Sequence, residues 1–149
     1  MQPERLTDDL LEQLLSSTSP EAYLSSVELP ERTLADYARA LLADRGMKRA
    51  DVIRASGLNT TFAYQVFQGV RHIGRDNAIM LAFGLRCTLV EAQRLLRLAG
   101  ASELWCKVRR DAIIIYCLNE GMTRAQCDDE LYRLGEKTLV APEERDGDV

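Results

Sequence analysis

The sequence is poor in the residues that most enzyme and metal chemistry needs. It has one histidine, His72, and four scattered cysteines, Cys87, Cys106, Cys117 and Cys127. No CxxC pair occurs among them, and a structural zinc site takes four Cys or His ligands, usually in close pairs. The cysteines are therefore expected as small buried hydrophobes in a reducing compartment, with neither metal nor cofactor. A redox role would need an exposed thiol of lowered pKa. There is no GxSxG, HExxH, P-loop or GxGxxG, which removes the signatures of common hydrolases, zinc proteases and nucleotide-binding enzymes. Asp128-Asp129-Glu130 are consecutive and project in different directions from a helix, so they make no paired-carboxylate site. The expectation is a protein that is not an enzyme.

Two further scarcities bound the fold. Aromatic residues are only 6 % of the chain, and the abundance of Leu and Ala favours helices over strands. No apolar run approaches the roughly 20 residues needed to span a bilayer. The opening MQPERLTDDLLEQ is acidic and lacks the basic-then-apolar order of a secretory signal. No membrane association and a cytoplasmic location are expected.

What the chain does contain is unevenly distributed charge. The formal net charge is −4. Residues 1–32 carry two basic and seven acidic side chains, residues 33–100 ten basic and five acidic, and residues 101–149 seven basic and eleven acidic. A basic middle between acidic flanks suits a domain that meets phosphate.

Helical periodicity and caps divide the chain in the same places. Residues 1–32 read as an acidic N-terminal helical segment. Leu6, Leu10, Leu11, Leu14 and Leu15 share a face, and Ser19-Pro20 opens a brief second turn before Leu29-Pro30. Residues 33–100 read as one domain of five helices. Thr33 with Asp36 caps the first, which Gly46 ends. A short helix spans about 49–55, a tight turn follows at Ser56-Gly57-Leu58, and a third helix spans about 60–68, stopped by Gly69. A fourth runs from about Arg75 to Gly84, and Thr88 with Glu91 opens the fifth. Residues 101–136 read as a two-helix extension. Its first helix is expected over 103–118 with Trp105, Val108, Ala112, Ile115 and Tyr116 as apolar positions, and Thr123 with Gln126 opens the second. Ile113, Ile115 and Leu131 are expected to be buried against the core or a second subunit. Residues 137–149, with Pro142 and Gly147, read as an acidic, disordered tail.

Function is most legible over 49–68. Two short helices joined by a tight turn can set the second helix in a major groove, provided the pair is rigid. Gly57 supplies the residue that tolerates positive φ, and Leu58 the apolar anchor. Phe62, Ala63, Val66 and Phe67 form one face of the second helix. Thr60, Thr61, Tyr64, Gln65 and Gln68 form the other.

On these residues the chain resembles the phage-repressor-type (Xre/Cro-like) helix-turn-helix family. The resemblance covers residues 33 to about 98. It includes the Gly46 stop, the Gly57-Leu58 turn, the Gln68-Gly69 helix end, and Leu81-Ala82 and Leu85 ahead of Thr88-Leu-Val-Glu91. It implies an all-α fold: a five-helix repressor-like domain with a short N-terminal helical segment and two extra C-terminal helices. It further implies a sequence-specific transcriptional regulator that binds double-stranded DNA, often as a homodimer. Carried over by position, Thr60, Thr61, Tyr64 and Gln65 would face base edges. Arg49, Gln68, Arg71, His72 and Arg75 would approach phosphates, each added contact steepening the salt dependence.

Two departures from the family pattern stand out. Ile53 occupies a position where the family usually has a small residue, and Ala63 one where it usually has Ile or Val, so a large–small exchange between facing positions is expected. The outward face also lacks Arg and Lys, the common guanine readers; Gln65 suits adenine, and the Thr methyls and Tyr64 suit thymine methyls. A second reading stays open: a protein-interaction module on the same scaffold, without DNA binding, that recruits a partner through the acidic N-terminal segment.

Overall fold

The computed structural model describes residues 7–27 and 32–141. Among them lie nine α-helices and no strand: α1 (Thr7–Ser16), α2 (Pro20–Ser26), α3 (Leu34–Asp44), α4 (Arg49–Ser56), α5 (Thr60–Gln68), α6 (Arg75–Gly84), α7 (Leu89–Leu98), α8 (Arg109–Asn119) and α9 (Arg124–Arg133). None is long and apolar enough to cross a membrane. The chain divides into two compact units between Glu31 and Arg32.

The first unit holds α1 and α2. Ser19 caps α2 by accepting the Ala22 N–H, and Pro20 takes the first helical position. The segment after Ser19 is a seven-residue helix rather than a brief turn. Tyr23 and Val27 are buried, whereas Leu11, Leu14, Leu15 and Leu24 are exposed. The leucine face read in α1 is therefore turned to solvent at these positions. Leu6 and the Leu29-Pro30 break lie outside the described residues.

In the second unit, helix starts follow from local chemistry. Thr33 with Asp36, Thr88 with Glu91 and Thr123 with Gln126 each form a complete capping box, satisfying two orphan amides at each start. The core gathers on α6, where every residue from Ala78 to Gly84 is buried. A helix apolar all round belongs at the centre of a bundle, and α3, α4, α5, α7, α8 and α9 all contribute side chains to the core around it. Phe67, Ile79, Leu81, Leu85, Leu95, Leu96, Ile114 and Leu131 are its largest fully buried members.

A crossed pair of ion pairs joins α8 to α6. Both helices carry an Arg-Asp dipeptide in the first turn, Arg75-Asp76 and Arg110-Asp111. Arg75 grips Asp111 with two nitrogens, at 3.1 and 2.8 Å, and Arg110 grips Asp76 at 2.9 and 3.1 Å. Asp111 is buried and also accepts the Trp105 N–H. Bidentate guanidinium–carboxylate pairs of this kind fix geometry as well as charge.

Four expectations for the C-terminal part need correction. The helix expected over 103–118 begins only at Arg109. Residues 101–108 are non-helical because their backbone finds other partners: Gln93 both donates to the Leu104 carbonyl and accepts its N–H, and Arg75 takes the Ser102 and Glu103 carbonyls. The inward face of α8 is Asp111, Ile114, Cys117 and Leu118, while Trp105, Val108 and Tyr116 are exposed. The helix has two apolar faces, and the buried carboxylate made the inward one look polar in sequence. Ile113 and Ile115 pack partly buried against the core and Leu131 is fully buried. Residues 137–140 belong to the fold: buried Asp128 accepts the Leu139 and Val140 N–H groups, and Thr138 and Leu139 are buried. Residues 142–149 of the expected tail lie outside the described residues. Finally, three cysteines are buried but Cys106 is exposed.

Candidate nucleic-acid interface

The site is built on α4, the turn after it, and α5. The turn is over-determined. Gly57 takes φ +78°, a left-handed conformation that disfavours a side chain. Ser56, fully buried, donates its hydroxyl to the Ile53 carbonyl at 2.7 Å and accepts the Leu58 N–H at 3.2 Å. Leu58 is buried as the anchor, and Asn59 caps α5 by accepting the Phe62 N–H at 3.0 Å.

The two ends of the pair are braced from other helices. Arg39 of α3 donates to the Phe67 carbonyl in the last turn of α5. Arg124 of α9 lies over the turn: a β-carbon on Gly57 would stand 2.8 Å from its Nε. Asp128 holds that guanidinium at 2.8 Å. Gly84 brings α6 against the backbone of α4. The helix pair is thus clamped from α3, α6 and α9.

Ala63, Val66 and Phe67 form the buried face of α5, with Ile53 of α4 in the same core. Thr60, Thr61 and Gln68 are exposed, and Tyr64 and Gln65 are half-buried. Arg49 lies over the Tyr64 and Phe67 rings, its guanidinium 5.9 and 5.3 Å from their centroids. Arg71 returns from the loop after α5 to lie 5.5 Å from the Phe62 ring and donates to Gln65 Oε1 at 3.4 Å. Such stacking orders long cations against a surface at little cost in solvation. His72 is exposed.

Arg75 does not join this group. Its guanidinium is taken up by Asp111 and by the Ser102 and Glu103 carbonyls. Arg54, which the sequence did not single out, does. With Ala50, Ile53, Gly57, Leu58, Thr60 and Tyr64 it lines a shallow groove of about 320 Å³ between α4 and α5. Its partner Asp51 lies 3.4 Å away on the exposed face of α4. Asn59 and Arg124 were also missed, and Ser56 was read only as part of the turn. Asn one residue before a helix is a cap signal that sequence alone offers; a long-range brace such as Arg124 leaves none.

The cysteines lie apart from this surface in chemistry. Burial pushes the Cys87 thiol up to about 12 and raises those of Cys117 and Cys127, so all three stay protonated at neutral pH. Comparison with protein-family models, with curated proteins and with solved structures finds no match to this chain.

Proposed function

We propose that the chain is a sequence-specific DNA-binding regulator that sets α5 in the major groove of duplex DNA. The observation that carries this reading is the rigid α4–Gly57–α5 pair. Its second helix leaves Thr60, Thr61 and Gln68 in solvent, with Arg49 and Arg71 ordered against it. In this reading α4–turn–α5 is a helix-turn-helix on a repressor-like scaffold. Thr60, Thr61, Tyr64 and Gln65 read base edges, while Arg49, Arg71, His72 and Gln68 meet phosphates. Gln65, steadied by Arg71, suits adenine. Arg75 has a structural role instead.

The test is selection of the purified protein on a random pool of duplex DNA at moderate salt, followed by sequencing. An enriched motif is expected, and it should vanish in a Thr61→Ala, Gln65→Ala variant that still folds. One observation favours the other reading: no cation projects from α5 itself, and cations are the common readers of guanine. Absence of enrichment, with binding that stays weak at low salt, would assign the surface to a protein partner.

A further inference from the structure

The outward face of α8 has no role in the fold described above. Val108, Ala112 and Tyr116 recur at four-residue intervals, opposite the buried Ile114, Cys117 and Leu118. Trp105 lies one turn ahead of Val108, whose N–H it accepts through its carbonyl. Trp105 and Tyr116 are each 59 % exposed and Val108 44 %. Trp105, Val108 and Tyr116 thus leave large apolar side chains in solvent along and just ahead of the outer side of α8.

We infer that this face pairs two copies of the chain, α8 against α8 in antiparallel order. Three features choose a second copy of this chain over an unrelated partner. The stripe is self-complementary: the small Ala112 sits between the larger Val108 and Tyr116, so two such helices cross closely at Ala112 with each Val108 beside its mate's Tyr116. The ends carry opposite charges, Lys107 before Val108 and Glu120 just past Asn119. Antiparallel pairing sets Lys107 of one copy against Glu120 of the other, twice, whereas parallel pairing sets like against like. The helix dipoles also favour antiparallel neighbours. The apolar stripe would then be the centre of a patch, with a polar rim completing the roughly 800 Å² per partner that a stable interface buries. A two-fold pair is isologous, which a single self-complementary stripe satisfies. The inference rests on α8 alone and does not require DNA binding.

Sedimentation equilibrium of the full chain tests it. The expected result is a dimer that Ala112→Glu and Tyr116→Glu each weaken by at least ~tenfold in dissociation constant, with far-UV circular dichroism unchanged. Tyr132→Glu, at an exposed aromatic on α9, should leave the dimer intact. Lys107→Glu and Glu120→Lys should each weaken it, and the two together should restore it, a readout that simple unfolding cannot mimic. A chain that stays monomeric at every attainable concentration would overturn the inference and leave the stripe to another partner. So would a dimer indifferent to Ala112→Glu and Tyr116→Glu.

Discussion

A β-carbon on Gly84 would stand 2.6 Å from the carbonyl oxygen of Val52. The obstacle is backbone, with the Ser56 Cβ at 2.9 Å behind it, so no rotamer change can relieve it. Helix α4 lies as close to α6 as it does only because residue 84 lacks a side chain. Gly84→Ala should therefore push the two helices apart and cost about 1–3 kcal/mol, the range of core overpacking, even though alanine favours a helix. Urea unfolding measures it, and a stability equal to that of the parent would contradict the packing.

Ile53 and Ala63 raise a related question of volume. Both are buried in the same core, one on α4 and one on α5. Ala63→Ile alone should destabilise by about 1–3 kcal/mol and Ile53→Ala by about 2–5 kcal/mol. If the two positions share one space, the double variant recovers part of the sum, and a double-mutant cycle reports that coupling. Strict additivity would place them in separate pockets.

Much of this fold was legible because it depends on neighbours in sequence. The stop of α5 follows from Gly69, and the starts of α3, α7 and α9 from a threonine and its partner three residues on. What was not legible depends on distant residues. Nothing near Glu103 announces that Gln93 will occupy the backbone of Leu104. The inward face of α8 was missed because Asp111 interrupts it, and Asp111 is buried only because Arg75 is there. At the candidate site the structure lays Arg49 and Arg71 against rings of α5. The sequence pattern was misleading for Arg75, which looks like another loop-proximal cation until Asp111 is folded against it.

Arg75 and Arg71 therefore separate in two experiments. Arg75→Gln leaves the buried Asp111 without its partner and should cost about 2–4 kcal/mol, toward the lower end for a broken buried pair because Arg75 keeps some solvent contact. Under the proposed DNA-binding function, it should leave the salt dependence of that binding unchanged once the protein is folded. Arg71→Gln should leave the melting temperature within about 2 °C and reduce the salt slope by about one. Asp51→Ala, which breaks the exposed pair with Arg54, should change stability by less than about 0.5 kcal/mol. An Arg75→Gln protein as stable as the parent would contradict the structural role given to Arg75 by its pair with Asp111.

Titration gives the last prediction. Burial pushes the Glu91 carboxyl up, but hydrogen bonds from Arg45 and from the Thr88 amide outweigh it and hold the pKa below the usual 4.5. A carboxylate whose folded pKa is depressed contributes stability above its unfolded value, and loses it as pH falls through the folded one. Cys87, beside the same pair, behaves oppositely. Burial raises its folded pKa from 9.0 to about 12, so its contribution is complete below 9.0 and is lost as pH rises toward 12. Unfolding free energy measured against pH should therefore fall on both flanks. Glu91→Gln should make the acid limb below pH 4.5 shallower and also lessen the alkaline one, because the Glu91 charge helps to raise Cys87. Cys87→Ala should make the alkaline limb shallower, with Cys117 and Cys127 still contributing to it, and leave the acid limb as it was. A thiol-labelling time course gives an independent check: Cys106, the exposed thiol, should react at once, and Cys87, Cys117 and Cys127 only on unfolding. Rapid labelling of Cys87 in the folded protein would mean that α6 and α7 open locally, and the alkaline limb would then report that opening rather than the buried thiol.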